Sequence, residues 1–480
     1  MLWGALLMAA AVPSGFFAPR MMLPRDTSVP VWGTAHPGER VTVLFGDLSA
    51  SATADDKGRW MAELPPLAAS AEGRTLEIRG TDGVTALPDV IVGDVFLSAG
   101  QSNMQFPLCG RTARQHDAKG NALVQLADDR QIRFAAPRRA WALVPTNDVA
   151  LVWKRGVCDD LRDVTYTGTH EEGSTSAIAY YFARYVNRAS GVPVGFVDVS
   201  RGGAFIDPFF PPEAVAEKQT FSWRRNGGHQ SPGVLWNAMI APMTRFPFKG
   251  VLWYQGESNK NDTNGVYLAK FRALVKSWRR AFDTPKLPFY FVQLAPHAAG
   301  HLSVQLQQAA YAREDPYAPM TVVSDLGCFR NIHPRDKDTV GLRIALRVLK
   351  REYGFSELRD ASPEPVKAAV RADGMVAVSF AHAEWLYVIN DDMSLFADFE
   401  LKGSDGRWRP AKIMNFRDTW VWYQKRNVKN GEIDGSEILL AAPDVSAPVA
   451  VRYLHNAPWK GTVFNDVSLP LGPFEIPIAK

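Results

Sequence analysis

The chain has few cysteines. Among 480 residues there are three, Cys109, Cys158 and Cys328, and their spacings match no metal or redox motif. At most one disulfide can form, and none is expected; so little cysteine leaves the compartment open. The chain also lacks a dominant charge. Its 54 Lys and Arg against 50 Asp and Glu give a formal net charge of +4, too small a bias to argue for nucleic acid or an anionic membrane surface as partner. No apolar run is long enough to span a membrane. The apolar opening MLWGALLMAAAV ends in small residues, as the later part of a secretory signal does, but lacks the Lys or Arg that should precede it. Either the start lies upstream or residues 1–20 are a degenerate signal segment, and a periplasmic or extracellular location is the expectation. Aromatic residues are plentiful, with 14 Trp and 13 Tyr. Most should fill cores, and those left on the surface would suit sugar faces.

The pattern along the chain changes twice. From 21 to 90 it is all β: Val29 to Trp32, Arg40 to Phe45, Arg59 to Leu64 and Arg74 to Arg79 are short strand-like runs separated by Pro37-Gly38, Asp56-Lys57-Gly58 and Asp82-Gly83. Thr42, Leu44, Leu76 and Ile78 suit a buried face, so this part is expected to be a small β-sandwich. From 91 to 360 apolar strands alternate with amphipathic helices. Helices are expected over Ser176 to Ala189, Val266 to Phe282 and Val340 to Tyr353, and strands over Val194 to Val199, Val251 to Tyr254, Phe289 to Leu294 and Met320 to Ser324. In the second helix Phe271, Leu274, Val275, Trp278 and Phe282 form the apolar stripe, with Lys270, Arg272, Lys276 and Arg279 opposite. Alternation of this kind implies an α/β domain with a parallel sheet covered on both faces. Beyond Ser362-Pro363-Glu364-Pro365, from 361 to 480, the chain is β again, with runs at Lys367 to Arg371, Met375 to Phe380, Trp420 to Gln424 and Val449 to Leu454.

In a parallel sheet chemistry gathers at the carboxyl ends of the strands. The run GDVFLSAGQSNMQF places Ser102 just past an apolar strand among small residues. The next strand end carries Ser200-Arg201-Gly202-Gly203, the third Gln255-Gly256-Glu257-Ser258-Asn259, and the last Asp325-Leu326-Gly327, followed by Asn331-Ile332-His333-Pro334. A hydroxyl, a bare glycine pair, an amide with a carboxylate, and an imidazole together suit acyl transfer. Ser102 would attack a carbonyl carbon while His333 takes its proton and returns it to the leaving alcohol. The backbone N–H groups of Ser102 and Gly203 and the side-chain amide of Gln255 would hold the oxyanion. Taken singly, each of these residues has an ordinary structural role in a turn or loop. The conjunction at successive strand ends is what carries the reading.

The blocks GDVFLSAGQSNMQFPL, WNAMIAPM with KGVLWYQGESN, FYFVQLAP, and SDLG followed by IHPRDK resemble those of the SGNH-type sialate O-acetylesterase family. Stretches on either side, MMLPRDTSVPVWGTAHPGERVTV and PVAVRYLHNAP among them, extend the resemblance nearly end to end. It implies a flavodoxin-like SGNH-hydrolase core flanked by N-terminal and C-terminal β-sandwich modules. It implies Ser102 as nucleophile, His333 as base, and Gly203 and Gln255 in the oxyanion hole. The reaction it implies is removal of acetyl groups from sugar hydroxyls without metal or cofactor. Gln101, Asn103, Arg201 and Asn259 become the candidates for contacts with an acetylated carbohydrate.

Two positions depart from the pattern. Many SGNH enzymes carry an Asp two or three residues before the His, where this chain has Asn331 and Arg330. Glu257, Asp325 or a backbone carbonyl are then the ways to orient His333, with Glu257 favoured. Relatives commonly have Trp before the glycine pair and Thr after it, where this chain has Arg201 and Ala204. Arg201 would suit a sugar carboxylate such as sialic acid offers, or it is satisfied internally by an acid such as Asp207. The leading expectation is a sialate O-acetylesterase. The competing ones are an acetylxylan or other polysaccharide esterase and, in another class, a carbohydrate-binding protein without turnover. A glycosidase ranks lower, because nothing nominates a pair of carboxylates flanking a glycosidic bond.

Overall fold

The computed structural model describes residues 11–110, 116–163, 174–223, 227–327, 331–390, 398–423, 426–456 and 461–479. Most of the signal-like opening, Cys328, Arg330 and Gln424 lie outside them. Two compact units emerge. The first comprises Met1–Ser258, Ala269–Tyr290 and Arg335–Ala345, and the second Asn259–Leu268, Phe291–Pro334 and Leu346–Lys480.

The first unit is organised by five strands: β1 (Gly83–Gly100), β2 (Asp128–Ala135), β3 (Lys154–Val157), β4 (Val194–Asp198) and β5 (Gly250–Tyr254), in the order β3-β2-β4-β1-β5. β1 runs parallel to both β4 and β5, β4 runs parallel to β2, and β3 is antiparallel to β2. The sheet is therefore mixed. β1 is its axis: every residue from Val90 to Gly100 is buried, as a strand covered on both faces requires. Its first half pairs antiparallel with Ser70–Gly80, which pairs with Arg40–Phe45. One continuous strand thus joins the N-terminal β region to the central sheet. In the N-terminal region Val29–Thr34 pairs antiparallel with Val12–Pro13 and with Arg59–Leu64. Trp60, Ala62 and Leu64 alternate inward from the last of these. On Arg40–Phe45 the buried residues are Val41, Val43 and Phe45, with Thr42 and Leu44 only half-buried. This corrects the expected face, since pairing of Val43 with Ile78 and Phe45 with Leu76 sets the side that meets the core.

Four helices serve the site: α1 (Ser102–Gln105), α2 (Ala177–Ser190), α3 (Val266–Ala281) and α4 (Lys337–Glu352). α2 starts where Ser176 Oγ accepts the Ala179 N–H and stops at left-handed Gly191. Phe182 on α2 packs edge-on against Phe96 of β1 at 4.8 Å. α4 begins three residues before its expected start, because the Asp336 carboxylate accepts both the N–H (3.0 Å) and the hydroxyl (2.8 Å) of Thr339 and caps the helix. The expected exposed face of α3 also needs correction. Lys270 is buried, with Nζ 3.0 and 3.1 Å from the two oxygens of fully buried Asp207. A helical wheel shows the cation but not the carboxylate that draws it inward. Asp207, weighed above as an internal partner for Arg201, is thus paired with Lys270.

In the second unit Phe291 and Val292 run parallel to Met320 and Thr321. Both strands are shorter than expected. Leu294 N–H turns to the Gln308 side-chain oxygen, and the chain after Thr321 tightens into a turn at Ser324–Leu326. Among the described residues the C-terminal region forms three four-stranded sheets. Val378, Phe399, Leu401, Ile433, Leu440 and Tyr453 belong to the hydrophobic core they share. Among the described residues Cys109 and Cys158 are free thiols, and no helix is long and apolar enough to cross a membrane.

Candidate active site

Because β4, β1 and β5 are parallel neighbours, the loops after them emerge at the same edge. β1 ends at Gly100, whose φ of +135° and close approach to β5 both demand glycine: a Cβ there would stand 2.2 Å from the Tyr254 carbonyl oxygen. Gln101 N–H donates to that oxygen at 2.9 Å, and Arg201 N–H donates to Gly100 O at 2.9 Å. The turn leading to Ser102 is thus clamped from both sides. Ser102 opens α1 and is half-buried. The glycine pair after β4 comes close to it, for a Cβ on Gly202 would lie 3.8 Å from the Ser102 Cβ. Gly202 N–H donates to Gln105 Oε1. Gly203 is left-handed at φ +70°, with nothing within 4 Å of where a Cβ would point. Its carbonyl accepts from Gln230 Nε2 at 2.9 Å and from Ser258 Oγ at 3.0 Å.

The third loop is tied to the first by a side chain. Gln101 Oε1 accepts from Gln255 Nε2 (3.2 Å), Gly256 N–H (3.3 Å) and Ser258 N–H (3.2 Å). Gln255 Nε2 also donates to Ala204 O at 3.2 Å, so this amide braces all three loops and both of its hydrogens have acceptors. Gln101 and Asn103 are buried with their polar atoms turned to protein partners. Arg201 is half-buried.

Asn103 leads to a residue that sequence reasoning missed. Its Nδ2 donates to Glu257 Oε1, and its Oδ1 accepts from Lys337 Nζ at 2.6 Å. Lys337 is fully buried, its ammonium 4.8 Å from the Phe106 ring centroid and 5.7 Å from that of Tyr254. Burial pushes its pKa down to about 7, against the pull of Glu257, Asp117 and Asp336. Burial pushes the Glu257 carboxyl up, opposed by its bond from Asn103 and by Lys337. Glu257 Oε2 is buried and has no hydrogen-bond partner among the described residues. The first turn of α4 is held by Asp117, which accepts the Lys337 N–H at 3.0 Å and the Tyr181 hydroxyl at 2.8 Å. Lys337 closes the IHPRDK block, and that position beside the expected base was its only signal.

The remaining candidates belong to the second unit. His333 is half-buried, and its backbone N–H donates to Asn331 Oδ1 at 2.9 Å. Asn331, where many SGNH enzymes carry an acid, thus shapes the turn before the imidazole. Asp325 is half-buried in the Ser324–Leu326 turn, which is anchored by a 2.8 Å bond from Ser324 Oγ to Leu471 O. Asn259 is buried, with Nδ2 2.7 Å from Asp262 Oδ2. Among the described residues no group of three or more His, Cys, Asp or Glu side chains is arranged to hold a metal ion.

Residues 92–330 match the family described as carbohydrate esterase, sialic acid-specific acetylesterase. The sialate O-acetylesterase of Mus musculus is 27% identical over 459 residues, covering 82% of this chain and 83% of that protein. That of Homo sapiens is 27% identical over 424 residues, covering 80% and 78%. A carbohydrate acetylesterase from Xanthomonas citri superposes with a TM-score of 0.82 at 29% identity, covering 97% of this chain and 99% of that one. The fold and these likenesses define a carboxylic ester hydrolase with an α/β carbohydrate-esterase fold. Over residues 92–330 the chain is thus similar to the sialic acid-specific acetylesterase family of carbohydrate esterases, and over most of its length to sialate O-acetylesterases.

Proposed function

We propose that this protein is a sialate O-acetylesterase that works through an acyl-enzyme on Ser102. The observation that carries the reading is the convergence of three strand ends on one serine. The turn before it is clamped by β5 and the β4 loop, and the glycine pair lies close enough to present backbone N–H groups to an oxyanion. Ser102 Oγ attacks the acetyl carbonyl carbon while His333 accepts the hydroxyl proton. The oxyanion is held by the N–H groups of Ser102 and Gly203. Gln255 joins them by releasing one of its long 3.2 Å bonds as the negative charge develops. Collapse breaks the ester C–O bond, and the sugar alcohol departs with the proton from His333. Water, deprotonated by His333, then attacks the acetyl-serine; the Ser102 Oγ–acyl bond breaks, Oγ takes the proton back from His333, and acetate is released. Glu257, on the same loop as Gln255, is the favoured acid to orient His333; Asp325 is the second choice. Arg201, half-buried on the glycine loop, is the candidate for the sialic acid carboxylate.

The finer architecture is part of the same reading: an SGNH-type, flavodoxin-like core over 91–360, with β-sandwich modules over 21–90 and 361–480. A periplasmic or extracellular site of action suits an acetylated glycan substrate. The test is acetate release from O-acetylated sialic acid, from acetylated xylan and from an aryl acetate. Turnover of acetylated sialic acid well above acetylated xylan supports the proposal. The reverse order makes the protein a polysaccharide acetylesterase, and binding of acetylated sugars with no acetate release from any of the three makes it a binding protein.

A further inference from the structure

Lys337, Asn103 and Glu257 come from three separate segments of the chain and meet in a buried line. Enclosing an ammonium costs several kcal/mol, and an apolar side chain of similar length would fill the space more cheaply. Hydrogen-bond chemistry indicates what the ammonium supplies. A lysine can only donate and an ionised carboxylate can only accept, whereas an asparagine amide does both at opposite ends. With Lys337 on one side and Glu257 on the other, the amide of Asn103 has a single satisfying orientation, Oδ1 toward Nζ and Nδ2 toward Oε1. Without the ammonium, it can turn over or swing. Asn103 follows Ser102 directly and shares its short helix, so fixing that side chain fixes the turn that carries the hydroxyl.

We infer that Lys337 is a positioning residue for the reaction: through Asn103 it fixes the Ser102 turn and holds Glu257 in place. The inference rests on the proposed role of Ser102 as nucleophile. Lys337 is enclosed in protein, so its removal should act on turnover rather than on substrate binding. A residue acting only through Asn103 should also have no further effect once Asn103 is gone.

The experiment measures kcat and KM for an aryl acetate with the full chain, at equal concentrations of folded protein. The variants are Asn103→Leu, Lys337→Met, the double variant, and Lys337→Gln, which keeps an uncharged donor one bond shorter. Displacing a nucleophile by about 1 Å can cost on the order of a hundredfold. Each of the first two variants is therefore expected to lose about a hundredfold in kcat, with KM within about twofold. The double variant should lose no more than the worse single one, and Lys337→Gln should stay within about tenfold of the wild type. Wild-type kcat in Lys337→Met, a lowered melting temperature with turnover unchanged, or losses that multiply in the double variant would each overturn the inference. If Lys337→Met does not fold, Asn103→Leu and Lys337→Gln decide. A large loss in the first with near-retention in the second supports it, and any other pattern overturns it. An error about the nucleophile would register separately, as turnover surviving in Ser102→Ala.

Discussion

Gly100 is where the fold and the proposed chemistry meet most tightly, and replacing it by alanine should damage both. The new Cβ would lie 2.2 Å from Tyr254 O, 2.7 Å from Tyr254 C and 2.9 Å from Tyr254 N. All three are backbone atoms of the neighbouring strand, so no rotamer change relieves the clash. Ordinary contact begins at 3.4 Å, and the ends of β1 and β5 would have to separate by about 1.2 Å at the closest pair. The φ of +135° adds strain of its own for any residue with a Cβ. Strain of about 1–3 kcal/mol and overpacking of about 1–3 kcal/mol together give a destabilisation of about 2–6 kcal/mol. The displacement lands on the Gln101 N–H bond to Tyr254 O, one residue before Ser102. A shift near 1 Å at a nucleophile costs about a hundredfold in kcat. Denaturant unfolding and aryl acetate hydrolysis by the folded fraction measure the two effects. Stability within 0.5 kcal/mol of the wild type (about the scatter of surface substitutions), together with unchanged kcat, would refute the reasoning.

Other perturbations address separate parts of the account. The Lys337 ammonium, with its pKa pushed down to about 7 among Glu257, Asp117 and Asp336, gives up its proton as pH rises. The charge-assisted bond to Asn103 is present below that pH and lost above it. The wild-type kcat should therefore decline on the alkaline side of about pH 7, while Lys337→Gln, which cannot titrate, keeps a flat alkaline limb; parallel profiles would contradict this. Lys270→Met breaks an ion pair whose side chains are 1% and 0% exposed and should cost about 3–5 kcal/mol in denaturant unfolding. A cost under about 1 kcal/mol, typical of surface pairs, would mean the pair is solvated in practice. Gln255→Leu should lower kcat about 10²–10³-fold with little change in KM if the amide serves the oxyanion, and a loss of stability alone would leave it only a brace.

Much of this could be read in advance, and the failures have a common cause. Arg40–Phe45 and Arg59–Leu64 match to the residue, because turn signals bound them and the alternation between is clean. β2 escaped notice because its DDRQ opening looks like a solvated loop, although its second half is buried. Local pattern also locates Ser102 at a strand end, since small residues after an apolar run are a nearest-neighbour signal. It cannot show that Gln101 reaches across to Gly256 and Ser258, that Lys270 meets Asp207, or that Lys337 lies against Asn103. Those are long-range pairings, which local pattern does not carry. For the same reason Gln101, Asn103 and Asn259 suggested substrate contacts from their place in the loops, while their side chains face inward.

The most direct test of the central claim is acetate released from O-acetylated sialic acid by the wild type and by Ser102→Ala at equal folded concentration. The account predicts turnover in the wild type and a loss of at least about a thousandfold in the variant, as expected when a serine nucleophile is removed. Turnover by Ser102→Ala within tenfold of the wild type would contradict it and move the nucleophile elsewhere in the chain.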